Sequence, residues 1–179
     1  MTSLALEHCL IEKNGLAPAL IDLQHTLLDA GAAVATPPRA SEEAIARVAF
    51  DLDHSRTKLL EDAIDELDTQ LPPLRQFVLP CGSLAAASLH VARSTARRVE
   101  RRLVTVLLPP EDSGLDPEHL IATAVTPGLL PFFNRLSDYL FVAGRFASHH
   151  AGAPERSHAF QKETDYQRSE PLFSRTSPE

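Results

Sequence analysis

Length, composition and charge are those of an ordinary single-domain globular protein. The chain has 179 residues, 44% of them hydrophobic and 23% charged, and its net charge of −7 argues against a nucleic acid as the main partner. No run of eighteen apolar residues predicts a membrane span, and no basic segment followed by an apolar one predicts a signal peptide.

The first half of the sequence predicts helices that end at proline pairs. Apolar residues over 1 to about 13 indicate a first helix, and a stripe with spacings of four and three over residues 16–34 indicates a second. The second helix must stop at the prolines at 37 and 38, because proline cannot continue a helix. A short helix is expected after Ser41, and a further helix over residues 60–71 closes at the next proline pair.

The second half predicts two longer helices. Residues 74–83 contain two prolines and a Gly-Ser pair, which predicts an extended loop with Ser83 as the N-cap of a long helix. A surface loop is expected over residues 109–127. The last helix begins near Pro131, since proline is tolerated at the first helical position.

The helices together predict the fold class and the domain limits. Four or five amphipathic helices without any strand pattern predict an all-α helical bundle over residues 1–150. Beyond His150 the sequence is polar, so we expect a flexible C-terminal tail over residues 151–179.

A row of arginines lies on the long central helix. Five arginines and one glutamate occupy residues 93–102, within an apolar stripe of helical period. The stripe consists of Ala85, Leu89, Ala92, Ala96, Val99, Leu103 and Val106. Because Arg93, Arg97 and Glu100 follow the same rhythm one residue out of phase, we expect them to line the edge of the buried stripe. Glu100 can pair with Arg97 three residues away, which leaves Arg93 without a local partner.

The excess of arginine over glutamate requires an anion from elsewhere. A planar guanidinium group suits both carboxylate and phosphate oxygens. Two explanations are therefore open at this point: an arginine–carboxylate network at a subunit interface, or a polyanionic ligand such as a nucleoside triphosphate.

Polar residues on the last helix form a second group. Asp138 is a candidate partner for an arginine of the central helix, and Asn134 is a candidate ligand contact, although alone the group fits a structural role better. Phe77 lies in the loop between two prolines and by itself fits a core position. The eight histidines show no metal-binding spacing, and the two cysteines, Cys9 and Cys81, indicate a reducing compartment without a disulfide framework.

Taken together, four segments resemble one family, the trimeric ATP:cob(I)alamin adenosyltransferases of the propanediol-utilisation and methylmalonic-aciduria type. The segments are Phe-Val-Leu-Pro-Cys-Gly-Ser (77–83), Leu-His-Val-Ala-Arg (89–93), Arg-Arg-Val-Glu-Arg (97–101) and Asn-Arg-Leu-Ser-Asp-Tyr-Leu-Phe (134–141). The resemblance covers roughly residues 4–148. It implies a five-helix bundle, a homotrimer with substrates bound between subunits, and transfer of the 5′-deoxyadenosyl group of ATP to cobalt with release of triphosphate.

The resemblance also implies roles for individual residues. Phe77 presents an apolar side chain to cobalt in place of the lower axial base, and Arg97 contacts the triphosphate as the principal catalytic arginine. The nucleotide site would contain Arg97, Arg98, Glu100, Arg101 and Asn134, with Glu100 also orienting Arg97. The corrinoid site would contain Phe77, Arg93 and Phe141, and Arg93 is assigned to the catalytic group as well.

The implied substrates are ATP and cob(I)alamin, with Mg²⁺ accompanying the triphosphate. The implied partners are further copies of the chain, an adenosylcobalamin-dependent mutase and a flavin reductase. The compartment would be the cytoplasm in a bacterium or the mitochondrial matrix in a eukaryote.

The sequence departs from the family pattern at its start. The Thr-Gly-Asp-x-Gly phosphate-binding segment and the Val-Asp-Glu-Leu motif are not found, so the first helix is expected to be incomplete. Three alternatives follow: an N-terminally truncated form of a working enzyme, a non-catalytic homologue that binds corrinoid and delivers it to a partner, or a purely structural trimer subunit.

Overall fold

The computed structural model describes residues 1–37, 40–107, 127–153 and 156. This part of the chain is all-α and contains no β-strand. Its six helices are α1 (Thr2–Glu12), α2 (Ala17–Ala35), α3 (Glu42–Arg47), α4 (Ser55–Asp68), α5 (Leu84–Leu107) and α6 (Leu129–His150). The described part thus holds six helices where the resemblance implied five, and α3 is only six residues long.

Helices α5 and α6 form the centre of the bundle and make the most extensive helix–helix contact. Helix α4 packs on α6, and α1 packs on both α2 and α5. Two contacts in the second half of α1 show that it runs antiparallel to α5. His8 Nδ1 lies 2.6 Å from Ser88 Oγ, and Glu12 Oε1 accepts a hydrogen bond from the Ala85 amide at 2.9 Å.

The apolar stripe predicted for α5 is buried along most of its length. Its members from Ala85 to Ala96 and Leu103 are buried, whereas Val99 is half-buried. The prediction for the last member of the stripe was wrong, because Val106 is exposed and its neighbour Leu107 is buried instead. A strict alternation of four and three drifts by about 20° per heptad on a straight helix, so the stripe has rotated out of the core by its third heptad.

The predicted helix starts at Ser41 and Ser83 are confirmed. Ser41 Oγ accepts from the Ala44 amide at 3.2 Å, and Ser83 Oγ accepts from the Ala86 amide at 3.1 Å. Helix α4 ends at Asp68, earlier than the predicted residue 71. The chain there turns more tightly, with the Leu71 amide bonded to the Asp68 carbonyl, because a residue before proline avoids the α conformation.

Several predictions concern segments that the structure covers only in part. Outside the described residues lie all but the last residue of the surface loop expected over 109–127 and most of the tail expected over 151–179. Cys9 and Cys81 are not joined to one another in a disulfide. Among the helices of the described ranges, none combines the length and apolarity needed to cross a bilayer.

Candidate functional site

Glu100 joins the two groups of polar residues that the sequence singled out on α5 and α6. Its Oε2 accepts a hydrogen bond from Arg97 Nη1 at 2.5 Å, and its Oε1 accepts one from Asn134 Nδ2 at 2.8 Å. The Glu100 side chain is only 13% exposed, which favours charged and polar partners for both of its oxygens. The structure therefore brings together three of the five residues assigned to the nucleotide.

Arg97 keeps most of its hydrogen-bonding capacity. A guanidinium group carries five N–H donors, and within the described residues Arg97 bonds to protein through Nη1 alone. Its side chain is 44% exposed. Arg97 is thus held at one corner by Glu100, while its other donors can serve an anion from outside the chain.

Arg98 and Arg101 do not join this cluster in the single chain. Arg98 lies, with Arg102, beside an apolar cavity of about 650 Å³ between α2 and α5. Arg101 is exposed. The expectation that Arg93 and Arg97 line the edge of the core also needs correction, because both are exposed. The flexible methylene stem of arginine carries its charged head out to solvent even when its backbone borders a core.

A second cluster lies further towards the start of α5. The guanidinium carbon of Arg93 lies 5.1 Å from the centre of the Phe141 ring, which is cation–π distance. These are two of the three residues assigned to the corrinoid, and they come from different helices. The third, Phe77, lies in the loop between α4 and α5 and is 75% exposed, so its predicted alternative role as a core residue is wrong.

His90 also belongs to this second cluster. It is buried, and its ring centre lies 6.3 Å from that of Phe141. Gly144 makes room for it, because a Cβ at that position would lie 3.1 Å from His90 Nε2. Burial, and secondarily the charge of Arg93, lowers the pKa of His90. In the sequence, the spacing of three residues between His90 and Arg93 indicated that the two lie on neighbouring positions of one helix. Nothing in the sequence indicates that His90 packs against Gly144.

Asp138 has a different partner from the one expected. Its Oδ2 accepts a hydrogen bond from Arg135 Nη1 at 3.0 Å, and Arg135 Nε lies 3.3 Å from Glu61 Oε1 on α4. Asp138 and Arg135 therefore help to join α6 to α4, and Asp138 does not neutralise an arginine of α5. The interpretation that Asp138 serves the arginine row was wrong, because a residue three positions away on the same helix is already within reach.

The described residues contain no group of three or more histidine, cysteine, aspartate or glutamate side chains able to hold a metal ion. The chemical resources of the site are instead guanidinium groups, one shared carboxylate, one amide and aromatic rings. Such a set can bind a polyanion beside a flat, partly apolar molecule.

Comparison with known proteins identifies the family. The family model described as "Cobalamin adenosyltransferase" matches residues 1–147, which is most of the chain. The chain belongs to the cobalamin adenosyltransferase family.

Individual relatives agree with this placement. The mouse corrinoid adenosyltransferase MMAB is 36% identical over 141 residues, which are 78% of this chain and 53% of that protein. The corrinoid adenosyltransferase of Bacillus subtilis is 31% identical over 158 residues, 88% of this chain and 67% of that protein. The chain spans about half the length of the mammalian relatives it matches.

Solved structures show the same fold. A variant PduO-type ATP:corrinoid adenosyltransferase from Lactobacillus reuteri, complexed with cobalamin and ATP, superposes with a TM-score of 0.64 at 28% identity. The match covers 88% of this chain and 81% of that one.

Proposed function

We propose that the protein transfers the 5′-deoxyadenosyl group of ATP to the cobalt of cob(I)alamin, forming adenosylcobalamin and triphosphate. Membership of the family supports this proposal, as do relatives named corrinoid adenosyltransferases and a similar structure complexed with cobalamin and ATP. The observation that carries it is the Arg97–Glu100–Asn134 cluster on the same two helices as the Arg93–Phe141 pair.

The reaction is a displacement at carbon. The electron pair of Co(I) forms the bond to the ribose 5′ carbon, and the C5′–O5′ bond breaks with its pair passing to triphosphate. Cobalt is thereby formally oxidised from Co(I) to Co(III). Co(I) is a strong nucleophile, so the main tasks of the protein are to position the two substrates and to stabilise the charge on the departing triphosphate.

The Arg97–Glu100–Asn134 cluster suits the task of stabilising the departing triphosphate. Arg97, held by Glu100, would donate to the triphosphate, and a charge-assisted hydrogen bond of this kind contributes about 1.5–3 kcal/mol. Asn134 would contact the nucleotide from α6, while Arg98 and Arg101 would contribute from the neighbouring surface of α5. Glu100 would act as the residue that orients Arg97.

The second cluster suits the corrinoid. Arg93 and Phe141 would border the corrin ring, with Arg93 donating to amide carbonyl groups at its rim. The exposed ring of Phe77 would cover the lower face of cobalt in place of the axial base. Loss of that ligand makes Co(II) easier to reduce, and reduction to Co(I) must precede the displacement.

We extend the proposal to the assembly and its surroundings. Mg²⁺ would accompany the triphosphate, since it retains several water ligands and binds phosphate oxygens readily. A homotrimer of this helical bundle would place each nucleotide between two subunits, and an adenosylcobalamin-dependent mutase and a flavin reductase would be its partners. The compartment would be the cytoplasm in a bacterium or the mitochondrial matrix in a eukaryote.

Replacement of Arg97 tests the proposed function. We expect Arg97→Ala to lower the rate of adenosylcobalamin formation from cob(I)alamin and MgATP by about 100-fold or more, because a donor to the leaving group is lost. Absorbance of the corrinoid follows the product. Arg102→Ala is the matched control, since Arg102 is exposed on the same helix and has no assigned role. Equal rates for wild type and Arg97→Ala would refute the role of this arginine.

A further inference from the structure

The loop that carries Phe77 is attached to α6 on both sides of that residue. We define the Phe77 loop as residues 69–83, between α4 and α5. On the first side, Arg145 Nη2 donates to the Pro72 carbonyl at 2.8 Å. On the second side, Gly82 packs so closely on Ser148 that an added Cβ would lie 2.2 Å from its Oγ. The two attachment points on α6 are one helical turn apart.

Arginine is an unusual residue at a buried position such as 145. Arg145 is 2% exposed, yet its guanidinium group is charged, so it must be compensated within the protein. Asp68, at the end of α4, contributes a carboxylate oxygen 3.6 Å from Arg145 Nη1. The one side chain therefore contacts both the end of α4 and the start of the Phe77 loop.

Phe77 has little packing of its own to hold it. Its side chain is 75% exposed, so burial of the ring cannot fix its position in the chain as described. The position of the ring therefore depends on how the backbone of the loop is attached. Besides the contacts at Pro72 and Gly82, the Leu79 amide donates a hydrogen bond to the Arg156 carbonyl at 2.8 Å. Gly82 adopts a φ of +126°, which a residue with a side chain rarely adopts, so both its backbone conformation and its contact with Ser148 require glycine at the entry to α5.

We infer that Arg145 is a positioning residue for Phe77, acting through the Pro72 carbonyl to hold the exposed ring at the cobalt face. The inference rests on the proposed function, in which Phe77 covers the lower face of cobalt. Arg145 is one turn beyond Phe141 on α6, so the same helix would border the corrin ring and hold the loop beside it. A misplacement of about 1 Å at a reacting centre can lower the rate about 100-fold. Rigid attachment of the Phe77 loop would therefore keep the reaction fast.

The first experiment measures the position of residue 77 without any substrate. The chain contains no tryptophan, so Phe77→Trp introduces a single fluorescent reporter into the loop. We expect Arg145→Lys in this background to lower the fluorescence anisotropy of Trp, because an ammonium group lacks the planar fork that reaches both Pro72 and Asp68. Unchanged anisotropy in a folded protein would overturn the inference, whatever the activity of the chain.

The second experiment is a double-mutant cycle in the assay that starts from cob(II)alamin, MgATP and a reductant. If Arg145 acts through Phe77, we expect Arg145→Lys to slow adenosylation by about tenfold in the wild-type background and by less than about twofold in the Phe77→Ala background. Equal losses in both backgrounds would show a merely structural role. With preformed cob(I)alamin, the loss caused by Arg145→Lys should be much smaller.

A milder variant keeps the test decisive if Arg145→Lys does not fold. Asp68→Asn removes the carboxylate from the exposed side of the same contact and leaves the buried guanidinium in place. We expect Asp68→Asn to lower the fluorescence anisotropy of Trp at position 77 and to slow adenosylation from cob(II)alamin. Both effects should be smaller than those of Arg145→Lys. Normal behaviour of Asp68→Asn with a normal melting temperature would contradict the inference. Failure of the proposed function is recognised separately, because wild type would then form no adenosylcobalamin while the anisotropy result stands.

Discussion

At the scale of single residues, one carboxylate organises the candidate nucleotide site. Glu100 holds Arg97 through one oxygen and Asn134 through the other. The sequence predicted the first contact, because a spacing of three on a helix brings side chains together. It could not predict the second from spacing, because Asn134 lies 34 residues further along the chain and its approach depends on how α5 packs against α6.

Residues outside the arginine row were harder to predict. Phe77 and Phe141 were assigned to the site by resemblance alone, since Phe77 by itself fits a core position better. His90 and Arg145 were missed as features of the site. Their importance comes from close packing against Gly144 and from a hydrogen bond to the Pro72 carbonyl, and a sequence pattern shows neither.

His90 makes stability depend on pH in a predictable direction. Burial, and secondarily Arg93, lowers its pKa below the ordinary value of 6.5 in the folded chain. The unfolded chain therefore takes up the proton first as pH falls. The stability contributed by neutral His90 is present above pH 6.5 and is lost as pH falls through the lower folded-state pKa.

We expect this dependence to disappear in His90→Gln, which keeps a polar side chain but does not titrate. Urea unfolding of wild type and variant at several pH values gives the difference in unfolding free energy. That difference should be constant above pH 7 and should shift in favour of the variant below pH 6.5. A difference that is the same at pH 5 and pH 8 would show that His90 does not titrate in this way.

At the scale of helices, starts and ends were predicted where a local residue determines them. Ser41 and Ser83 cap their helices through their own side chains, and α2 ends at Ala35 just before the proline pair. The start of α4 was not predicted in detail. Its second and third amides, those of Arg56 and Thr57, are satisfied by Asp51, which lies upstream of the N-cap residue His54 and reaches the helix only because the intervening turn is tightly folded.

Asp51 should therefore matter for stability more than its loop position suggests. It is buried, and its carboxylate accepts hydrogen bonds from the amides of Arg56 and Thr57 and from the Thr57 hydroxyl. We expect Asp51→Ala to lower the free energy of unfolding by about 2 kcal/mol, because two partly buried amides lose a charged, buried acceptor.

Asp53 provides the matched control for this prediction. Its carboxylate accepts hydrogen bonds from the Ser55 amide and hydroxyl at the same helix start. Because Asp53 is exposed, water can replace the carboxylate as the acceptor. Denaturant unfolding should show a clearly smaller loss for Asp53→Ala than for Asp51→Ala. Equal losses would mean that burial of the Asp51 carboxylate is not what stabilises α4.

At the scale of the whole molecule, the pairing of α5 with α6 brings distant motifs together. It joins Glu100 to Asn134 and Arg93 to Phe141, and α6 also holds the Phe77 loop. The all-α class could be predicted from periodicity, because the longer helices α2, α4, α5 and α6 show apolar stripes. The arrangement of the site could not, since it depends on contacts between segments far apart in the sequence.

The proposed trimer gives a prediction about size. A site that uses two subunits leaves Arg98 and Arg101 available to a neighbour, which agrees with their exposure in the single chain. We expect light scattering after gel filtration to give about three times the chain mass of 19.6 kDa. A mass equal to one chain at micromolar concentration, with or without MgATP, would contradict the trimer.

The most direct test of the central claim is to incubate the purified chain with chemically reduced cob(I)alamin and MgATP, and to measure adenosylcobalamin by absorbance and triphosphate by chromatography. Our account predicts both products in equal amounts, at a rate that falls sharply in Arg97→Ala. Binding of the corrinoid without either product would contradict the account and would favour a non-catalytic corrinoid-binding protein.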